Sequence, residues 1–182
     1  MAIVFTLSGG AVRGRLEFGN LTFPCALGRG GFRARKREGD GATPQGVWRV
    51  REVLYRPDRV RRPRTALPVK TIRPHDGWCD APADRNYNRR VRHPYPASAE
   101  RLWREDGLYD VVVVLSYNER PRMRGRGSAI FMHVARPGYA ATEGCIALAR
   151  PHLLRLLERL GASPAVAVAG YKKSARSFRF GR

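Results

Sequence analysis

A chain of 182 residues with 43% hydrophobic content has the size of one domain and enough apolar material for one core, which excludes a multidomain machine. No apolar run approaches the roughly 18 to 20 residues of a membrane-crossing helix, the longest candidates being residues 1–7 and 111–115, so no membrane insertion is expected. The 35 Lys and Arg against 15 Asp and Glu give a net charge of +20, spread along the chain with no stripe on one predicted helix, which argues for general attraction to acidic partners and against a specific nucleic-acid role.

Residues 2–7, 14–18, 21–27 and 47–54 read as short strands, separated by the glycine-bearing turns 9–10, 19–20, 28–31 and 39–41. From 55 to 96 the composition shifts to Arg, Pro, Asp and Asn, which predicts a long surface excursion around a strand at 67–72. Ser98 predicts a short capped helix through Asp106. In the segment 109–117, four consecutive valines followed by Leu115 predict a strand buried on both faces, and 128–134 reads as a further core strand. Leucines at 153, 154, 156, 157 and 160 predict an amphipathic helix over 151–160, with Pro151 in its first turn and Gly161 at its stop. Residues 165–169 close the domain as a last strand, and the basic tail 171–182 is expected to fray. The sum is a single β-rich α+β domain over 1–182.

Three cysteines, Cys25, Cys79 and Cys145, cannot all pair within one chain. A Cys25–Cys79 bridge and a pair of half-buried thiols both remain open. His75 and Cys79 stand at a spacing that zinc can use, but no second ligand pair follows, so no metal and no cofactor are expected. Trp48, Trp78 and Trp103 read as core or cover, and His75 and His152 as surface residues.

The informative stretch is 128–148. His133 ends a hydrophobic strand, a loop follows, and Cys145 comes directly after Gly144 where the chain re-enters apolar sequence. A thiol near its reference pKa of about 8.5 is only a few per cent thiolate at neutral pH, so nucleophilic use needs a base or a cationic field. His133 is the candidate base, the surrounding positive charge is expected to favour the thiolate, and Gly144 lets backbone N–H groups approach a substrate carbonyl. On spacing alone a structural reading competes: a buried cysteine beside glycine and a strand-end histidine are both common.

Three blocks together resemble the L,D-transpeptidase catalytic domain, the YkuD-type family, in its compact bacterial form without a separate peptidoglycan-binding module. His133, Thr142, Gly144, Cys145 and Ile146 match the family's His, loop, Ser/Thr-x-Gly-Cys-Ile signature. Residues 39–50, with Thr43-Pro44 and Gly46, are similar to its Thr-Pro-x-Gly segment, and 109–118 to the strand and turn before the histidine, so the likeness spans about 39–160. The resemblance implies a β-sandwich-like mixed sheet with one or two short helices. It also implies action on peptidoglycan stem peptides as donor and acceptor, without cofactor or metal, in the cell envelope or periplasm, and carbapenems as inhibitors. The visible start shows no signal peptide, so a cytoplasmic location stays open.

In the family the cysteine forms a thioester with the stem's diamino acid and an amine resolves it into a crosslink. That assigns Cys145 as nucleophile, His133 as base oriented by the main-chain carbonyl at Val134, and the backbone at Gly144 as oxyanion donor. Thr142, Tyr117, Asn118, Arg136, His93 and Glu143 are the candidate substrate contacts. Many members carry His where this chain has Glu143 and Arg where it has Ala147. Glu143 is therefore expected to point outward or to meet a substrate amine, and Arg136, Arg124 or Arg126 to stand in as carboxylate clamp. Hydrolysis of the same thioester, an L,D-carboxypeptidase, is the alternative outcome, and a basic polyanion-binding module the alternative class.

Overall fold

The computed structural model describes residues 1–6 and 12–171. The first strands are β1 (Ala2–Thr6), β2 (Arg13–Phe18), β3 (Leu21–Ala26), the short β4 (Phe32–Arg33) and β5 (Thr43–Pro44), and the long β6 (Gly46–Tyr55). The excursion expected over 55–96 runs on to residue 109 and carries β7 (Val69–Thr71), β8 (Asp76–Cys79), β9 (Arg90–Arg92) and β10 (Ala99–Arg101). Then come β11 (Val111–Leu115), β12 (Phe131–Val134), β13 (Ile146–Leu148), α1 (Arg150–Arg159) and β14 (Ala165–Tyr171). The tail expected to fray lies, from residue 172 on, outside the described residues.

Nine strands form one mixed sheet in the order β11-β12-β13-β3-β2-β1-β14-β6-β7, and a further pairing of β11 with β6 closes all of them except β7 into a ring. The closing strand is the valine run. It pairs antiparallel with β6 (Val113 opposite Val53) and with β12 (Val113 opposite Met132), and all five of its residues are buried. Side chains alternate across a strand, so Val111, Val113 and Leu115 join one cluster while Val112 and Val114 join another. The first cluster holds Leu16, Phe23, Met132 and Ile146 together with Leu153, Leu156, Leu157 and Leu160 of α1 and its end. The second, on the other face of β11 and β12, holds Phe131 and Cys145 beneath Trp78, Leu102, Leu108 and Tyr109, which the excursion supplies. A three-stranded sheet, β10-β8-β9, frames that cover.

The β-rich α+β class and the helix near 151–160 are what the structure shows. The helix expected at 98–106 is absent. Residues 99–101 instead pair with β8, Glu100 opposite Trp78, and Leu102 N–H donates to Asp76 O at 3.0 Å. Long-range pairing that buries Leu102 fully overrides the local signal at Ser98. Cys25 and Cys79 form no bridge: both are free and buried, Cys25 among the residues of the first cluster. Burial pushes the Cys25 thiol up to about 12.

Leu156 is fully buried between α1 and the sheet. Leu156→Ala should cost about 3 kcal/mol of unfolding free energy in a urea titration, and a loss below about 1 kcal/mol would show that the helix is dispensable to the core.

Candidate active site

Strands β12 and β13 lie side by side and parallel, with Met132 opposite Ile146 and His133 opposite Ala147. Met132 and Ile146 therefore face the helix-side cluster, and His133 and Ala147 the opposite face. Cys145, two residues before Ala147, shares that opposite face with Phe131 and His133. Parallel neighbours require the connecting loop to return along the whole length of β12, and this return sets the thiol beside the start of that strand. Phe131 N–H donates to Cys145 Sγ at 3.3 Å, and the thiol donates to Ala129 O at 3.1 Å.

The imidazole of His133 is held at its other edge. Nδ1 lies 2.8 Å from Val134 O, and because a carbonyl only accepts, Nδ1 carries the hydrogen and Nε2 keeps the lone pair of a base. Tyr109 packs edge-on against the ring, centroids 5.4 Å apart. His133 and Cys145 both line one cleft of about 480 Å³, yet neither hydrogen bond of the thiol goes to the imidazole. Burial pushes Cys145 up to about 12 and His133 down to about 4. The resting pair is thus neutral thiol and neutral imidazole. This corrects the expectation of a thiolate favoured by the chain's positive charge: desolvation outweighs the distant arginines.

The loop that delivers Cys145 is backed by two other chain segments. Gly144 has φ +130°, and a Cβ there would stand 2.7 Å from Ala42 O, so the position admits only glycine. Thr142 Oγ1 donates to Cys145 O at 2.6 Å and accepts from Gly144 N–H at 3.2 Å. Its backbone N–H donates to Leu27 O at 2.9 Å, and its carbonyl accepts from Arg29 N–H. Thr43, buried in the Thr-Pro segment, accepts from Gly28 N–H at 2.8 Å. A Cβ on Gly28 would meet Gly41 O at 2.3 Å, which is how closely these layers stack.

The cleft gathers Cys145, His133, Thr142, Glu143 and Arg136 from the predicted set. Glu143 points outward: both its oxygens take Arg29 Nε at 2.8 Å, and its side chain is 73% exposed. Arg136 is exposed at the rim and pairs with no carboxylate among the described residues, whereas Arg126 lies in a separate arginine-lined hollow with Arg33, Arg35 and Arg37. Tyr117, Asn118 and His93 do not line the cleft. Tyr117 donates to Arg126 O and abuts Trp48, while Asn118 braces its own turn through Met123 and Gly127. His93 packs over Gly77, with its buried Nε2 lacking a hydrogen-bond partner.

The wall facing Cys145 comes instead from the excursion: Asp80, Glu100, Arg104, Leu108 and Tyr109. Glu100 accepts from Tyr109 OH at 2.7 Å and lies 3.7 Å from Arg104, and desolvation raises its pKa. Asn88 uses its whole amide as a tie. Its Oδ1 accepts from Trp78 Nε1 at 2.9 Å and Ala129 N–H at 3.1 Å, and its Nδ2 donates to the carbonyls of Tyr117 and Asn118.

The family model of the YkuD L,D-transpeptidase catalytic domain matches residues 13–168, nearly all of the chain. The chain belongs to this family. It is an enzyme of the L,D-transpeptidase family, and peptidoglycan is the substrate that membership implies. No curated protein and no solved structure matches the chain.

Folding keeps the His133 imidazole uncharged, with a pKa displaced from 6.5 to about 4. The stability this contributes is present above pH 6.5 and is lost as pH falls through about 4. Urea unfolding at several pH values should show that acid loss in the native chain and a shallower one in His133→Gln; parallel curves would place the acid sensitivity elsewhere.

Proposed function

We propose that the protein is a peptidoglycan L,D-transpeptidase working through a Cys145 thioester. The observation that carries the reading is the pairing of β12 with β13, which puts the Cys145 thiol and a His133 with its Nε2 lone pair free in one open cleft. Because the pair rests neutral, proton transfer accompanies attack: Sγ forms a bond to the stem's diamino acid carbonyl as Nε2 takes the thiol proton. The tetrahedral oxygen faces the backbone at Gly144 and Cys145; drawing on the Gly144 N–H would cost only its long 3.2 Å bond to Thr142. The C–N bond to the terminal D-residue then breaks, and its nitrogen leaves with the proton from the imidazolium. An acceptor amine attacks the thioester, gives its proton to His133, and expels the sulfur, which recovers a proton from the imidazolium.

Charge in the cleft favours an amine-bearing substrate. The chain has only 15 acidic residues, and three of them, Glu38, Asp80 and Glu100, line this one cleft, with Glu143 at its edge paired outward with Arg29. Asp80 lines the cleft, and its buried Oδ1 has no hydrogen-bond partner among the described residues, an acceptor suited to a substrate ammonium. Arg136 at the rim suits a stem carboxylate. The reading puts the site of action in the cell envelope or periplasm, where such stems are found.

Incubation with a carbapenem should add one inhibitor mass to the intact protein, and Cys145→Ala should take up none; an unmodified wild-type protein would overturn the nucleophile. With tetrapeptide muropeptides, crosslinked dimers are the expected product. Tripeptides alone would replace transfer by hydrolysis and make the protein an L,D-carboxypeptidase.

A further inference from the structure

Lys36 is the one lysine among the described residues that the fold buries: its side chain is 2% exposed, whereas that of Lys70 is 59% exposed. An ammonium withdrawn from water costs several kcal/mol unless it is paired, so a buried one calls for a reason. Its partner is Asp40, at 2.5 Å. That carboxylate is itself fixed, accepting from Arg37 N–H at 2.7 Å and Ala42 N–H at 2.9 Å.

The pair lies against both backbone segments that hold the nucleophile. The Lys36 stem covers Gly127, where a Cβ would stand 2.8 Å from Cε, and Gly127 leads through Ser128 into Ala129, whose carbonyl receives the thiol hydrogen. Nζ lies 3.4 Å from the position a Cβ on Gly144 would take. Ala42, tied down by Asp40, presses its carbonyl on the same glycine. Three further ionisable groups face Cys145: Glu100 from β10, Tyr109 from the segment leading into β11, and His133 from β12. Beyond the effect of burial itself, the Phe131 N–H pulls the thiol down, Glu100 pushes it up, and Lys36 is the cation that adds to the downward pull.

We propose that Lys36 is a positioning residue for Cys145: its buried ammonium, clamped by Asp40 against the Gly144 backbone, favours the anionic sulfur and the oxyanion that forms beside it. The inference rests on Cys145 being the nucleophile. A neutral side chain of the same length would keep the packing and lose the charge, which separates this role from that of a plain structural brace.

The test uses the full chain and needs no peptidoglycan, so it stands or falls apart from the transpeptidase assignment. Lys36→Met, and Lys36→Met with Asp40→Asn to avoid stranding a buried carboxylate, are alkylated with iodoacetamide across pH, and the Cys145 peptide is followed by mass spectrometry. Loss of the ammonium should move the Cys145 profile to higher pH, so that alkylation at a fixed pH below the midpoint slows severalfold in Lys36→Met, and by less in the double variant, where the opposing Asp40 charge goes too. A folded variant with the wild-type profile would overturn the proposal. A second measurement needs no substitution: in wild-type protein, the Lys36 15Nζ resonance should differ between Cys145 carrying an anionic carboxymethyl group and Cys145 carrying a neutral carbamidomethyl group. Coincident resonances would equally overturn it.

Discussion

The parallel register of β12 against β13 is the constraint from which the site follows. With Met132 opposite Ile146, one face of the pair joins the helix-side core and the other carries Phe131, His133, Cys145 and Ala147 toward the cleft. A slip of one residue on either strand would turn His133 or Cys145 into the core and a core side chain into the cleft. The register is held from both directions. β12 is locked to the valine strand, Val112 opposite His133, and β13 is tied to β3 through Ala147 and Ala26. The ring closure through β11 and β6 is therefore part of the geometry of the cleft, because it leaves β11, the strand that fixes β12, no free edge along which to shift.

Burial then sets the chemistry. An exposed cysteine in so basic a chain would drift toward thiolate, while the same positive field would hold a histidine neutral. Under the cover of Trp78, Leu108 and Tyr109, both charged forms lose solvation that no close partner restores. A neutral thiol is also a poor target for adventitious oxidation, so the cover shields Cys145 from it. The same enclosure strengthens whatever charges remain within it. A single buried ammonium beneath Gly144 therefore weighs more on the sulfur than the many arginines dispersed over the surface, which water and salt screen.

What the sequence made legible was what repeats locally. The valine run, the leucine-spaced helix and the His-to-Cys signature each announce themselves through periodicity or motif, and each is where it was expected. What depended on tertiary partners was not legible. Ser98 looks like a helix cap until β8 is there to pair with Ala99–Arg101. Tyr117 and Asn118 stand just past the valine strand, but the direction of a strand end follows from its turn, and Asn118 at φ +48° turns both away from the cleft. Asp80, Glu100 and Lys36 carry no signal of their own: in a chain so rich in charge, one more acid or lysine reads as solvated surface.

The Thr-Pro segment shows how a motif can be recognised without its purpose being visible. Nothing in residues 40–44 touches Cys145 by hydrogen bond, yet Ala42 O sets the space Gly144 occupies and Thr43 Oγ1 fixes Gly28. Gly28 forms a bridge to Thr142, which in turn holds Cys145 O. The Cys145 loop is the outer layer of a stack of three close-packed backbones, and glycine stands at 28 and 144 because the layers approach too closely for a Cβ. Such a stack is stiff, since displacing one layer breaks hydrogen bonds in the next. That stiffness holds the sulfur on its own backbone partners, Phe131 N–H and Ala129 O, across the cleft from Asp80, Glu100 and Arg104.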